Sequence, residues 1–142
     1  MMARQGSNVG GIAVRVRELA SNATVTVGPG HTLRDAARLM HKHRVGSAVV
    51  QDGELLAGII TERDVLRAVA NGVDADTDAV GEHMSPDVVT AGPDWDVGAA
   101  AGTMMKHRVR HLVIYEGGQL LGVLSVRDLL PALVPADQRE AE

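Results

Sequence analysis

Two segments of this sequence set a hydroxyl and a carboxylate at the same spacing: Thr61-x-x-Asp64 and Ser125-x-x-Asp128. In each, a glycine and two aliphatic residues precede the hydroxyl residue, and an Arg-Asp pair closes the segment. If the hydroxyl residue begins a helix, free backbone N–H groups of the first turn attract phosphate oxygens, and the hydroxyl adds a donor. The carboxylate can accept hydrogen bonds from two ribose hydroxyls, and the glycine permits close approach of a ligand or of backbone.

The same spacing also matches a capping box, in which a hydroxyl and a carboxylate three residues later satisfy the first amides of a helix. Asp stands here in place of the preferred Glu. Capping alone explains both side chains, whereas two copies with matched Gly and Arg-Asp residues favour a ligand role. The two interpretations are compatible, because a capping hydroxyl can turn towards a ligand.

Both segments belong to a long internal repeat. Residues 25–66 align without a gap with residues 89–130, at an offset of 64 and with 18 identities in 42 positions. Lys42-His43-Arg44-Val45, for example, recurs as Lys106-His107-Arg108-Val109. Two repeats predict a pseudo-twofold pair, since a solenoid needs at least three.

Each repeat has the pattern β-α-β-β-α, which predicts an α+β, sandwich-like fold. In the first repeat a β-rich run at 25–27 precedes helical apolar spacing at 33–40. Two aliphatic runs then flank Asp52-Gly53, a hairpin turn signal, and a second helix follows Thr61. In the second repeat, Pro131 is expected to cut the last helix short.

Boundaries follow from the repeat and from the polar ends of the chain. A small helix is expected to open each unit, at 14–20 and at 80–84. The predicted organisation is a flexible tail (1–13), a first unit (14–72), a second unit (73–135) and a flexible tail (136–142).

Composition excludes several classes of function. The chain has 142 residues, a net charge of −4, no cysteine and 1% aromatic residues. The acidic balance argues against a nucleic-acid surface, and the lack of cysteine excludes disulfides and thiol catalysis. No apolar run approaches the roughly 18 residues of a membrane span. We expect a cytoplasmic globular protein with an aliphatic core and without nucleic-acid or membrane partners.

The six histidines do not predict a metal site. His107 and His111 are four residues apart, but the first is expected to end a helix and the second to enter a strand. No cysteine and no clear third ligand accompany them. Nucleophile-elbow, P-loop and HExxH patterns are absent from the sequence. We therefore predict no enzyme activity, no metal site and no cofactor.

The segment pattern Gly-h-h-[Ser/Thr]-x-Arg-Asp, where h is aliphatic, resembles the nucleotide-binding signature of CBS domains. The resemblance extends over residues 16–130. It implies a tandem CBS pair of the stand-alone type, a Bateman module, with two clefts between the units for AMP, ADP, ATP or S-adenosylmethionine. It also implies phosphate contacts for Thr61 and Ser125 and ribose contacts for Asp64 and Asp128. The implied nucleotide-binding residues are Thr26, Val27, Val45, Gly58, Thr61, Arg63, Asp64, Thr90, Val109, Arg110, His111, Gly122, Ser125, Arg127 and Asp128.

The two copies differ at positions where family members often carry basic residues that touch phosphates. Arg110-His111 in the second copy replaces Gly46-Ser47 in the first. The second site is therefore expected to favour a charged ligand. Glu62 of the first copy stands where the second copy has Val126, and an anionic side chain at this position is unfavourable near a phosphate.

Three functions remain as hypotheses. The leading one is a nucleotide-sensing regulatory module that acts in trans on an unidentified protein partner. The second is a structural homodimer with vestigial ligand sites, built on the alanine-rich face at 99–101 and on Met104-Met105. The third is a metal-binding stress protein that uses the histidines.

Overall fold

The computed structural model describes residues 8–9, 12–20 and 24–133. These form two compact units, a first unit of residues 24–88 and a second unit that joins residues 8–20 to residues 89–133. Within the described ranges no helix is long and apolar enough to cross a membrane. In chain order the elements are β1 (Asn8–Val9), β2 (Ile12–Ala13), α1 (Val16–Leu19), β3 (Thr26–Val27), α2 (Leu33–His43), β4 (Ser47–Asp52), β5 (Leu55–Thr61), α3 (Glu62–Ala70), a 3₁₀ turn (Val80–Glu82), β6 (Thr90–Ala91), α4 (Val97–His107), β7 (His111–Glu116), β8 (Gln119–Ser125) and α5 (Val126–Leu133).

Each unit is built on a three-stranded sheet with the same topology. In the first unit β3 runs parallel to β4, and β4 pairs antiparallel with β5. In the second unit β6, β7 and β8 repeat this arrangement. The β-α-β-β-α order predicted for each repeat and the α+β fold class are confirmed.

Local sequence explains where the helices begin and end. Thr32 caps α2 through a capping box with Asp35, and Asp96 caps α4 by accepting from the amide of Ala99 at 2.9 Å. Helix α3 ends at Ala70 with Asn71 as its C-cap, and Gly72 follows with a φ of 84°, a left-handed conformation that glycine adopts without strain.

The expected early end of α5 at Pro131 is wrong. Helix α5 includes Pro131 and extends to Leu133. Pro131 itself is exposed, whereas Leu129 and Ala132 on either side are buried in the core of the second unit. Burial of these neighbours holds the helix together across the residue that lacks an amide donor.

Each unit has an aliphatic core, as the composition predicts. Leu33, Val50 and Ile60 are fully buried in the first unit, and Leu112 and Leu124 are fully buried in the second. The apolar residues that recur at helical spacing in α2 and α4 are buried in the core of their own unit. The apolar pattern of each helix in the sequence therefore marks its buried face.

The segment that precedes the first long sheet does not pack in the unit that follows it in the chain. Helix α1, before β3, belongs to the second unit, and the 3₁₀ turn, before β6, belongs to the first unit. The Val16 amide, in α1, donates to the carbonyl of Trp95 at 2.8 Å, within the second unit. The Val80 amide donates to the carbonyl of His31 at 2.7 Å, within the first unit. The two compact units of the structure therefore have different boundaries from the two units predicted from the sequence repeat.

Strands β1 and β2 form a two-residue antiparallel pair inside the segment predicted as an N-terminal tail. Two-residue strands carry no periodic signal, so the sequence did not indicate them. The remaining parts of the predicted tails, 1–7, 10–11 and 136–142, lie outside the described residues.

Candidate functional site

The first candidate site lies where β5 passes into α3. Thr61 has an extended backbone and begins the helix. Its amide donates to Asp64 Oδ2 at 2.9 Å, and its hydroxyl donates to the same oxygen at 3.0 Å. The Asp64 amide donates in return to Thr61 Oγ1 at 3.2 Å. The capping box expected from the spacing is therefore formed, and it fixes both side chains that could contact a ligand.

The second unit repeats this geometry between β8 and α5. The amide and hydroxyl of Ser125 donate to Asp128 Oδ2 at 2.8 and 3.1 Å. The Asp128 amide donates to Ser125 Oγ at 3.3 Å. The two candidate sites thus share one hydrogen-bond pattern as well as one sequence pattern.

Most amides at these helix starts already have partners. The amides of Thr61 and Asp64 are used in the capping box, and the Glu62 amide donates to the carbonyl of Gly46 at 3.0 Å. In the second unit the Val126 amide donates in the same way to the carbonyl of Arg110, at 2.9 Å. The expectation of free amides for phosphate is therefore wrong for these groups.

Asp64 and Asp128 differ in the neighbour of the second carboxylate oxygen. Arg67, one helical turn later, places Nη1 3.4 Å from Asp64 Oδ1. The residue that matches Arg67 in the second repeat is Pro131, which has no charge. Pro131 therefore cannot repeat at Asp128 the weak ion pair that Arg67 makes with Asp64.

Packing explains why a glycine stands at position 58 in the first segment. A Cβ on Gly58 would lie 2.6 Å from the backbone oxygen of Ser85 and 2.7 Å from Met84 Sδ. Gly58 therefore allows the close approach of another backbone segment, one of the two possibilities that the sequence left open. Its counterpart Gly122 is buried and pairs with Ile114 in the second sheet.

The remaining predicted residues are distributed over strand ends and helix starts. Sheet pairing sets Ser47 opposite Thr61, and His111 opposite Ser125. Val27 is buried in the core, so only its backbone is available to a ligand. Among the others, Thr26, Arg63, Thr90, Arg110 and Arg127 are exposed, and Val45, Val109 and His111 are half-buried.

The paired histidines behave as expected: His107 ends α4 and His111 begins β7. A different set of side chains, which the sequence did not indicate, could ligate a metal ion. Asp78, Glu82 and His83 each offer one ligand atom, and these atoms lie within 4.8 Å of one another. Their spacing matches no familiar motif, so the signal available was a comparison with the other repeat, in which Val14 and Leu19 replace Asp78 and His83.

Comparison with known proteins identifies the family. The CBS-domain family profile matches residues 16–71 and 80–135. The chain is 35% identical over 115 residues to the CBS domain-containing protein YhcV of Bacillus subtilis, which covers 80% of this chain and 81% of that protein.

Solved structures agree with this result. The chain is similar to a CBS domain protein of Pyrobaculum aerophilum in complex with AMP (TM-score 0.73, 34% identity, 82% of this chain and 90% of that one). It is also similar to a hexameric CBS-CP12 protein from bloom-forming cyanobacteria (TM-score 0.78, 30% identity, 83% of this chain and 67% of that one). With its duplicated sheet and matched helix starts, this chain belongs to the CBS-domain family and contains two CBS domains in tandem.

Proposed function

We propose that this chain is a regulatory module that binds an adenosine-containing ligand and acts through a protein partner. The observation that carries the proposal is the repeated helix start, in which a hydroxyl and a carboxylate make the same hydrogen bonds in both units. The AMP complex of the Pyrobaculum aerophilum relative supports the class of ligand. Without a nucleophile or base pattern in the sequence, sensing rather than catalysis is the proposed role.

The hydroxyls of Thr61 and Ser125 are proposed to contact phosphate. Each now donates to a carboxylate, so each must rotate and exchange that bond for one to a phosphate oxygen. The exchange is close to even, because both acceptors are anionic and hydrogen bonds to ionised groups have similar strength. Phosphate binding therefore gains most from added positive charge, which Arg63 and Arg127 at the helix starts can supply.

The carboxylates of Asp64 and Asp128 are proposed to bind ribose. In each, Oδ2 is held by the capping box, so sugar hydroxyls would donate to Oδ1, which at Asp64 also lies 3.4 Å from Arg67 Nη1. The side chain of Asp64 is only 13% exposed. A carboxylate held in this way loses little rotamer freedom on binding, which favours affinity.

The two sites are proposed to differ in the charge of ligand they prefer. Arg110 precedes β7, and His111 begins this strand and is paired with Ser125 across the sheet. The first unit has Gly46 and Ser47 at these positions. We therefore expect the second site to prefer a ligand with more phosphate groups, such as ATP over AMP.

Calorimetry with AMP, ADP, ATP and S-adenosylmethionine tests the proposal. Asp64→Glu and Asp128→Glu are the informative variants, because Glu is the preferred capping-box residue and keeps the cap. The longer side chain moves the carboxylate, so binding should weaken about tenfold or more, in line with the loss of a charged hydrogen bond. Asp35→Glu is the matched control, since it makes the same change in the capping box of α2.

Two results would contradict the proposal. One is the absence of binding heat for all four ligands with the wild-type protein. The other is equal affinity for the Asp64→Glu, Asp128→Glu and Asp35→Glu variants, which would mean that the repeated helix starts serve capping alone.

A structural homodimer is the second candidate, and exposed apolar residues favour it. Leu66 and Leu130 occupy matching positions in the two repeats and are 69% and 53% exposed. The surface expected from the sequence is different: Ala100 and Met104 are buried within their own unit, and Met105 is exposed. If Leu66→Glu and Leu130→Glu each leave a dimer intact in light scattering, neither leucine lies in its interface.

A further inference from the structure

We propose that Asp78, Glu82 and His83 form a binding site for a divalent transition-metal cation such as Zn²⁺. The three side chains lie on the segment that joins α3 to β6, around the 3₁₀ turn Val80–Glu82 of the first unit. This site is separate from the helix starts proposed to bind the adenosine ligand. Its test does not depend on that proposal.

The ligand atoms already have nearly the spacing that a metal requires. His83 Nε2 lies 3.0 Å from Asp78 Oδ2. Two ligands of a tetrahedral zinc ion with bonds of about 2.0–2.1 Å lie roughly 3.3 Å apart. The third ligand atom, from Glu82, lies within 4.8 Å of the other two. Glu82 is exposed, so its side chain can rotate and bring its carboxylate closer to the other two ligand atoms.

Backbone hydrogen bonds hold this segment in place without a metal. The amides of Val80 and Gly81 donate to the carbonyls of His31 and Pro29, at 2.7 and 2.9 Å. The amide of His83 donates to the carbonyl of Val80 at 3.0 Å, and the side chain of Val80 is fully buried. A cation therefore meets ligands on an ordered backbone, which lowers the entropy lost on binding.

The second unit shows that the fold does not require polar residues at the positions of Asp78 and His83, whereas Glu82 is matched by Glu18. Its α1 segment makes the same contacts, because the Arg17 amide donates to the Pro93 carbonyl at 2.9 Å as that of Gly81 does to Pro29. The positions that match Asp78 and His83 are Val14 and Leu19, which pack against the core. Apolar residues thus satisfy the packing, and the carboxylate and imidazole of the first unit need another explanation.

Charge also favours a cation. Asp76, two residues before Asp78, forms an ion pair with Arg34. Asp78 is instead 3.0 Å from His83 Nε2, a neighbour that is cationic only when protonated. The ligand set contains two carboxylates and one imidazole, which gives it a formal charge of −2 with the imidazole counted as neutral. A divalent cation would neutralise it.

The ligand types select the class of metal. One imidazole nitrogen and two carboxylate oxygens suit Zn²⁺ and related transition metals. Magnesium and calcium prefer ligand sets made of oxygen alone. Three protein ligands leave the fourth position of a tetrahedral ion open to water.

The test uses the full chain, freed of metal with a chelator and titrated with ZnCl₂ in a calorimeter. Glu82→Gln and His83→Gln are the test variants: the first changes an exposed side chain, and the second keeps an amide that can donate to Asp78. We expect each to weaken Zn²⁺ binding at least about tenfold. His41→Gln, which removes an exposed histidine of the same unit, should bind as the wild type does.

Amide chemical shifts in NMR spectra locate the bound ion. We expect changes centred on residues 78–83 with ZnCl₂ and much smaller changes with MgCl₂. The proposal is overturned if the wild type does not bind Zn²⁺, if Glu82→Gln and His83→Gln bind it unchanged, or if the shifts centre on other histidines. Because Glu82 is exposed, the Glu82→Gln variant should melt as the wild type does, so that its loss of binding cannot arise from unfolding.

Discussion

Replacement of Gly58 by alanine is expected to destabilise the first unit. Strand β5 runs against the segment that follows the 3₁₀ turn, and an added Cβ would lie 2.6 Å from Ser85 O and 2.7 Å from Met84 Sδ. The Met84 side chain can move aside, but Ser85 O is backbone and is fixed by pairing. It accepts from the Ile59 amide at 3.0 Å, and the Ser85 amide donates to Ile59 O at 2.9 Å.

The magnitude follows from two alternatives. If the segment stays, the overpacked methyl group costs about 1–3 kcal/mol. If the segment moves away, two backbone hydrogen bonds are lost at about 0.5–1.5 kcal/mol each. Because one alternative relieves the other, the costs are not added, and we expect the free energy of unfolding to fall by about 1–3 kcal/mol.

Urea unfolding followed by far-UV circular dichroism measures this change. Gly30→Ala is the matched control, since a Cβ there meets no atom within 4 Å. This variant should be unchanged or more stable by up to about 1 kcal/mol, because alanine restricts the unfolded chain. If Gly58→Ala unfolds within about 0.5 kcal/mol of the wild type, a typical surface effect, the packing argument is refuted, and ligand approach becomes the reason for the glycine.

Three further predictions concern helix ends and caps. Arg44 and Arg108 both have a φ of 57°. Replacing either by glycine should relieve left-handed strain and raise the free energy of unfolding by about 0.5–1 kcal/mol, measured from the urea midpoint. A lower urea midpoint would contradict this. Pro131→Ala should stabilise α5 by about 1–3 kcal/mol, because an exposed helix interior regains an amide donor; an unchanged melting temperature would argue against this account. The hydrogen bond from the Thr32 amide is the main cause that holds the pKa of Asp35 below its ordinary value of 3.8. That stabilisation is present above pH 3.8 and is lost as pH falls through the lower folded-state pKa. Asp35→Asn should therefore flatten the decline in melting temperature below about pH 4, and an identical acid profile would count against it.

Local patterns in the sequence predicted most of the secondary structure. The hydroxyl and carboxylate at Thr61 and Asp64 indicated a capped helix start because a capping box involves only four consecutive residues. The hairpin at Asp52-Gly53 was equally local, since a turn type is set by its own residues. Pro131 misled the same approach, because its effect depends on the burial of Leu129 and Ala132, which spacing along the chain does not reveal.

The roles of single residues near the candidate sites required the folded chain. The sequence left open whether Gly58 admits a ligand or backbone, and the structure shows that the backbone of Ser85 approaches it closely. The partners of the helix-start amides were likewise hidden, because Gly46 and Arg110 lie 16 residues before Glu62 and Val126. These are long-range contacts, and no local pattern specifies them.

The sequence alone determined the duplication, the order of elements in each repeat and the matched helix starts. These depend on identity at a constant offset and on periodicity within a few residues. Tertiary structure decided which sheet each pre-strand segment packs on, and it brought Asp78 and His83 together on the first unit. The physical reason is that both outcomes depend on backbone hydrogen bonds between distant residues, such as Val80 with His31 and Val16 with Trp95.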